Sequence, residues 1–360
     1  MSEPVRFRID ERDIEAQPGE TILQAAQRHG LEIPHLCYKD GLRADGNCRA
    51  CMVEIEGERT LAPSCVRMPR EGMAVRLDSE RVRGAQRMVL ELLAADMPAE
   101  MPAPDNELSR WRERLDVGEP RFPRRAQPAQ DLSHPGIAVR LDACIQCTRC
   151  LRACREVQAN DVIGYAWRGA HAQIVFDIAD PMGASSCVGC GECVQACPTG
   201  ALLPATRRTL PRQADESRVD SLCPYCGVGC QVTYHVREGR IVEVEGRDGP
   251  ANRGRLCVKG RYGFDYPSHP QRLLKPLIRR PGIPKAVQVD PSHPFEVFRE
   301  ASWEEALDFA AAGLLRVRQQ HGKHALAGFG SAKGSNEEAY LFQKLVRVGF
   351  GTNNVDHCTR

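Results

Sequence analysis

Seventeen of the 360 residues are cysteine, and sixteen of these fall into four groups of four. The groups are Cys37, Cys48, Cys51 and Cys65; Cys144, Cys147, Cys150 and Cys154; Cys187, Cys190, Cys193 and Cys197; and Cys223, Cys226, Cys230 and Cys257. Cys358 stands apart. In the last group SLCPYCGVGCQ (221–231) packs three thiols into eight residues, and Cys257 follows 27 positions after Cys230. Thiols this dense either form disulfides or hold metal. Disulfide frameworks belong to small secreted chains. MSEPVRFRIDERD at the N-terminus has no apolar stretch of a secretory signal, which implies a cytoplasmic chain. The quartets therefore read as metal or cluster ligands.

Iron–sulfur clusters suit them best. A cluster needs four soft thiolates, and short loops lower the entropy of gathering them. Glycines between ligands let the backbone wrap an inorganic core with its N–H groups toward sulfur. The two central groups repeat one pattern, C-x2-C-x2-C-x3-C. That is the spacing of two-cluster bacterial ferredoxins, in which the fourth cysteine serves the other cluster. It assigns Cys144, Cys147, Cys150 and Cys197 to one [4Fe–4S] cluster, and Cys187, Cys190, Cys193 and Cys154 to a second. A pair of zinc sites is the competing reading, but zinc motifs usually show two separated C-x2-C pairs. The first group, C-x10-C-x2-C-x13-C, predicts a [2Fe–2S] centre, with zinc open because four cysteines alone do not name the metal. His35, close to Cys37, reads as a loop residue. The last group predicts a third [4Fe–4S] cluster. Two residues beyond its fourth ligand stands Lys259, taken alone an ordinary exposed lysine.

The elements that must position these ligands follow from periodicity. VRFRID, CMVEIEG and MAVRLD alternate as half-buried strands. A turn at Pro18 and Gly19 precedes a short helix over TILQAAQRHG, stopped by Gly30. Residues 80–96 form a helix with Val82, Ala85, Met88, Val89, Leu92 and Leu93 on one face. The proline-rich stretch 97–135 is a linker over the surface. VIGYAWRG and AQIVFDIAD are strands between the repeats. PATRRTLPRQADES is a second linker, and QVTYHVREGRIVEVEG is a hairpin turning at Glu238 and Gly239. Ser302 and Glu305 mark a capping box opening a helix that Gly322 closes. ALAGFG is a buried strand, GSAKGSN a loop, and EEAYLFQKLVRVGFG a second helix. Strand, loop and helix in that order begin an α/β domain. The glycine-containing loop over 328–336 is either a phosphate cradle, with Ser331, Lys333 and Asn336 as contacts, or a plain connection.

The whole is an α+β multi-domain chain: a small [2Fe–2S] domain (1–78), a helix and linker (79–137), a two-cluster ferredoxin-like domain (138–206), a small [4Fe–4S] domain (217–272) and the beginning of an α/β domain (273–360). A net charge of +2 with 27% charged residues implies no general attraction to nucleic acid or anionic membrane. No run of apolar residues is long enough to span a bilayer. No G-x-G-x-x-G stands at a strand–helix junction, so NAD is not expected to bind this chain.

CPYCGVGC through LCVKG resembles the [4Fe–4S] domain of molybdopterin oxidoreductases. In that family the lysine lies between cluster and pterin as an electron relay, the role implied for Lys259. Residues 1–78 resemble the [2Fe–2S] domain of complex I-type subunits and iron hydrogenases, which implies a β-grasp fold, ferredoxin-like in the plant sense. GSAKGSNEEAYLFQKLVRVGFGTNNVDHC resembles the molybdenum or tungsten formate dehydrogenases, at the start of their bis-molybdopterin-guanine-dinucleotide domain. The modular order is similar to that of the alpha subunit of soluble NAD-dependent formate dehydrogenases. The resemblance implies formate oxidation to carbon dioxide in the full-length subunit, electrons leaving singly through the clusters, and a flavin-containing diaphorase (NADH dehydrogenase-like) partner that reduces NAD. The alternatives are another molybdopterin oxidoreductase, nitrate reductase-like, against which the N-terminal [2Fe–2S] and two-cluster modules speak, or an electron-transfer module with no catalytic centre of its own.

Two departures from the family pattern stand out. Relatives often carry an extra cluster held by one histidine and three cysteines after the [2Fe–2S] domain, whereas here only His134 and linker occupy the interval between Cys65 and Cys144. The sequence also ends at VDHCTR, where Cys358 matches the cysteine before the family's metal ligand rather than the ligand itself. It therefore reads as a fragment short of the molybdenum site.

Overall fold

The computed structural model describes residues 4–208, 210, 216–331 and 333–358. Part of the second linker (209 and 211–215), Ala332 of GSAKGSN and the last two residues of VDHCTR lie outside them. Two compact units result. One comprises residues up to Ser217 together with Leu256–Arg261, the other Arg218–Arg255 with residues from Tyr262 onward. No helix among the described residues is long and apolar enough to cross a membrane.

The first unit opens with β1 (Val5–Ile9), β2 (Arg12–Ala16), α1 (Ile22–Arg28), β3 (Met52–Ile55), β4 (Ala62–Pro63) and β5 (Ala74–Arg76). They form one mixed sheet in the order β2-β1-β5-β3-β4, with β1 and β5 parallel, as a β-grasp requires. Thr21 caps α1 through a full capping box with Gln24. Ile9, Ile22, Leu23 and Val53 are fully buried between helix and sheet. Strands β2 and β4 were not anticipated. The β1–β2 turn uses no glycine; Asp10 takes the left-handed conformation at φ 50° instead.

The next helix, α2 (Glu80–Ala95), is where residues 80–96 predict it, but its face is turned. Val82, Gln86, Leu90 and Ala94 are buried, whereas Met88 and Leu92 are exposed. The buried stripe runs at strict i, i+4 spacing and tolerates Gln86 because its amide donates to the Met52 carbonyl at 2.9 Å. The supposed linker is also not all linker. It contains α3 (Glu107–Arg114), capped by Asn106, which buries a single apolar side chain, Leu108.

The repeats follow: β6 (Ile137–Val139), α4 (Arg149–Arg152), β7 (Ile163–Ala166), β8 (Gln173–Phe176), α5 (Glu192–Ala196) and β9 (Leu202–Pro204). β6 pairs with β9 and β7 with β8, each antiparallel. A core of Leu36, Cys37, Ala50, Leu90, Leu108, Ile145 and Cys147 packs the first cysteine loop against the second.

In the second unit, β10 (Ser217–Leu222), β11 (Gln231–Arg237) and β12 (Arg240–Gly246) form a three-stranded sheet. Glu238 and Gly239 both have positive φ, as a tight hairpin turn demands. The segment Leu256–Arg261 of the first unit opens α6 (Val258–Tyr262). Next come β13 (Leu277–Arg279), β14 (Phe298–Glu300), α7 (Trp303–His321), β15 (Gly328–Ser331), α8 (Asn336–Lys344) and β16 (Val355–Cys358). The capping box expected on α7 is half-formed: Ser302 accepts from the Glu305 amide, but the Glu305 carboxylate pairs with Arg299. A full box caps α8 through Ser335 and Glu338 instead. β15 pairs in parallel with β16, and the strand expected to be buried leaves Phe329 79% exposed.

Candidate metal centres

The two repeat loops are built alike. In each, the second residue after the first cysteine takes a left-handed conformation, Gln146 at φ 55° and Gly189 at φ 64°. Its N–H donates to the sulfur of that cysteine, Cys144 or Cys187, at 3.4 Å. The residue before the helix is left-handed again, Thr148 at 61° and Gly191 at 74°. These turns curl the backbone N–H groups inward around the thiols, the cradle that a thiolate-bound anion needs. Glycine supplies the conformation in the second copy; in the first, Gln146 and Thr148 bear its cost.

The cysteines then sort across the repeat. Burial, with the charge of Cys197 adding to it, pushes the Cys144 thiol up to about 12. Cys147 and Cys150 are raised for the same reasons, burial first and Cys197 among their charged neighbours. Cys187 and Cys193, raised first by burial, both feel Cys154. Cys197 thus neighbours the first three cysteines, and Cys154 neighbours Cys187 and Cys193. Four soft donors around each loop, with N–H groups aimed at sulfur, fit an iron–sulfur cluster.

Cys37, Cys48, Cys51 and Cys65 form one hydrogen-bonded set. The Cys48 and Cys65 thiols donate to Cys37 and hold it far below the usual thiol range. Cys65 also bonds to Cys51, which is lowered, and is itself pushed far up, as is Cys48 by Cys37. The Cys37 and Cys48 amides each donate to the other's sulfur at 3.4 Å. This donor set also fits a cluster. His35 is not among its partners: its Nδ1 lies 2.7 Å from the Ile33 carbonyl.

The fourth group is shaped from both sides by its own neighbours. The Cys223 amide donates to the Cys230 carbonyl at 2.8 Å, closing the CPYCGVGC loop, with Gly229 at φ 71°. Buried Asn252 then ties Gln231, Arg247 and Arg255 together: its Nδ2 reaches all three carbonyls at 3.0–3.1 Å and its Oδ1 accepts from the Gln231 amide. Cys257 lies in the first unit and is exposed; its grouping with the other three rests on spacing.

Known proteins can be set beside this geometry. Residues 2–80 match the 2Fe-2S iron-sulfur cluster binding domain, and residues 134–203 the ferredoxin-like domain of NADH-quinone oxidoreductase subunit 3. Residues 216–269 match the molybdopterin oxidoreductase Fe4S4 domain, and residues 272–360 the molybdopterin oxidoreductase domain. From residue 216 onward the chain carries two successive domains of the molybdopterin oxidoreductase family. The iron–sulfur domains before them complete an electron-transfer region.

Among the chain's relatives, an NADH-quinone oxidoreductase subunit of Rhizobium meliloti is 36% identical, aligning over 99% of the chain and 40% of the relative. The alpha subunit of an NADPH-Fe(3+) oxidoreductase of Geobacter sulfurreducens is 32% identical over 98% and 40%. A Staphylococcus haemolyticus chain named "Putative formate dehydrogenase" is 28% identical over 100% and 39%. The chain therefore spans about 40% of the length of the first two relatives. A solved NAD+-reducing [NiFe]-hydrogenase chain is similar with a TM-score of 0.53 and 28% identity, covering 57% of this chain and 88% of that one.

The remaining predicted residues are placed as follows. Lys259 is exposed on α6. Ser331 and Asn336 line a cavity of about 820 Å³ together with Gly334, Tyr340 and His357; Lys333 is not among the lining residues. Ser331 Oγ accepts from the Lys333 amide at 3.1 Å. Glu338 already supplies a carboxylate at the N-terminus of α8.

Sequence reasoning missed the buried arginines around the cysteines. Arg149 bonds to Glu107 at 2.7 Å and to the Leu36 carbonyl at 3.0 Å. Arg261 bonds to the Cys190 carbonyl, Gln195 and Glu192 at 2.7–2.8 Å. The signal was present: TRCLRAC puts cations where the second repeat, GECVQAC, has an acid and an amide.

Proposed function

We propose that this chain is the electron-carrying portion of a formate dehydrogenase subunit, binding one [2Fe–2S] and three [4Fe–4S] clusters and delivering electrons to NADH dehydrogenase-like flavin partner subunits. The observation that carries the electron-transfer reading is the packing of the first cysteine loop against the second within one unit. Cys37 and Cys147 share one core, and Arg261 bonds the residues following Cys257 to the Cys190 carbonyl.

Bound by these cysteines, the clusters supply one-electron storage and transfer. The chain's own residues do the rest. The Gln146 and Gly189 amides donate to ligand sulfur, which favours the reduced, more negative state. Burial of Cys147, Cys150, Cys154 and Cys193 excludes water from the central groups. Lys259, exposed on α6 two residues past Cys257, would serve as an electron relay toward a pterin. Ser331 and Asn336 would hold a guanine-dinucleotide phosphate, with Lys333 as a peripheral cation. Molybdenum or tungsten with bis-molybdopterin guanine dinucleotide belongs to the full-length subunit.

Formate is supported by the staphylococcal relative and by the NEEAYLFQK and GTNNVDHC stretches. The Rhizobium and Geobacter relatives, more similar at 36% and 32%, support a second reading in which the same clusters serve a NAD(P)H-linked complex without formate chemistry. Formate-dependent reduction of benzyl viologen by the full-length subunit, purified anaerobically, separates the two. Turnover with formate supports the first; a fully iron-loaded subunit inert to formate but reduced by NADH through its partner retires it.

A further inference from the structure

Four arginines are buried among the described residues: Arg149, Arg152, Arg207 and Arg261. Three of them meet a carboxylate. Arg149 pairs with Glu107 at 2.7 Å, Arg207 with Glu216 at 2.6 Å and Arg261 with Glu192 at 2.8 Å. Arg152 is the most buried of the four, 1% exposed, and its hydrogen-bond partners are all carbonyl oxygens. One η nitrogen donates to Arg43; the other donates to Cys37 at 2.6 Å and to Cys147 at 3.2 Å. Its Nε is buried with no partner among the described residues.

A guanidinium does not give up its proton. Carbonyl dipoles satisfy its N–H groups but do not neutralise its charge, and a buried charge without a counter-charge is strongly unfavourable. Two of the three carbonyls belong to ligand cysteines of different centres, Cys37 of the [2Fe–2S] group and Cys147 of the first ferredoxin group. Four thiolates around a cluster make a net anion, and each arriving electron adds one negative charge.

We infer that Arg152 is the shared counter-ion of these two centres, a positioning residue that fixes the Cys37 loop to the Cys147 loop and stabilises the reduced state on either side. The inference rests on the cluster reading above. It also explains an asymmetry of the repeat. Position 152 corresponds to Gln195 in the second copy, where the cation comes from outside, as Arg261, and is already neutralised by Glu192. The first copy carries its own cation and leaves it to the clusters.

The test uses the full chain, reconstituted anaerobically with ferrous iron and sulfide. Metal analysis of the wild type comes first: zinc, or no iron, at these two groups ends the cluster reading and this inference with it. With iron present, an electron paramagnetic resonance titration with dithionite follows the [2Fe–2S] signal in wild type, Arg152→Gln and Arg152→Lys. At full iron content Arg152→Gln is expected to lower the reduced-to-oxidised ratio at a fixed solution potential about tenfold, ~59 mV for one electron. Arg152→Lys is expected to keep the wild-type potential. A purely structural role would alter stability or iron content and leave the potential of loaded protein unmoved. Fully loaded Arg152→Gln with an unchanged potential overturns the inference. If Arg152→Gln does not load, Arg152→Lys decides: loading with the wild-type potential supports the counter-ion, while failure to load or a shifted potential overturns it.

Discussion

The guanidinium of Arg261 lies 2.8 Å from the carboxylate of Glu192, joining the fourth residue after Cys257 to the second residue after Cys190. Both side chains are largely buried, 3% and 11% exposed. The pair contributes less than its Coulomb energy suggests, because both charges were taken out of water. Removing one partner is different: Glu192→Gln leaves a buried cation and costs about 3 kcal/mol. Thermal unfolding of the loaded chain should show a lower midpoint. An unchanged midpoint would mean that the pair is open to solvent and that Leu256–Arg261 is held by other contacts.

The sheet edge where the linker meets the repeats carries a pH-sensitive contact. His134 Nδ1 accepts from the Gly136 and Ile137 amides at 3.1 Å each, which requires that nitrogen to be unprotonated. Burial lowers its pKa below the ordinary 6.5, against an opposing pull from Asp131. A folded-state value below the unfolded one makes the neutral ring stabilising above pH 6.5. That contribution is lost as pH falls from 6.5 through the lowered folded value. Wild type should therefore lose more stability than His134→Gln between pH 7.5 and 5.5. Parallel curves for the two proteins would show that the imidazole does not carry the effect.

The iron–sulfur domains were legible because cysteine spacing marks them. Four thiols at C-x2-C intervals leave few alternatives, and the left-handed turns at Gln146, Thr148, Gly189 and Gly191 are what such spacing imposes on a backbone. The strongly patterned elements were legible too: α1 from the turn at Pro18 and Gly19 and the stop at Gly30, and the β11–β12 hairpin from Glu238 and Gly239. What escaped has a common cause. α3 is charged on nearly every face and fully buries only Leu108, so no apolar period announces it. α2 is amphipathic, but its stripe passes through Gln86, whose burial is permitted by a carbonyl 34 residues earlier in the chain. Arg152 and Asn252 have meaning only through carbonyls brought to them by folding.

Close approach at one glycine gives a sharp stability test. A Cβ on Gly183 would stand 2.5 Å from the Ser133 carbonyl oxygen, and the Gly183 amide already donates to Ser133 Oγ at 2.8 Å. Backbone cannot yield as a side-chain tip can, so Gly183→Ala is expected to cost about 1–3 kcal/mol. Gly118, where a Cβ meets nothing within 4 Å, is the matched control, and Gly118→Ala should be close to neutral. Equal midpoints for the two variants in a urea titration would show that the Ser133 segment is not fixed against Gly183.

The assignment of Cys154 and Cys197 across the repeat predicts how iron is lost. The complete chain should bind about fourteen irons, the sum of one [2Fe–2S] and three [4Fe–4S] centres. Cys144, Cys147 and Cys150 feel the charge of Cys197, while Cys187 and Cys193 feel that of Cys154. Cys144→Ser and Cys197→Ser should therefore damage the same cluster, and the double variant should lose about four irons, no more than either single change. Cys144→Ser with Cys154→Ser should strike two clusters and lose about eight. Had each copy bound its own cluster, the two double variants would exchange results. Iron and sulfide analysis of the two proteins, reconstituted side by side, distinguishes the arrangements without any measurement of turnover.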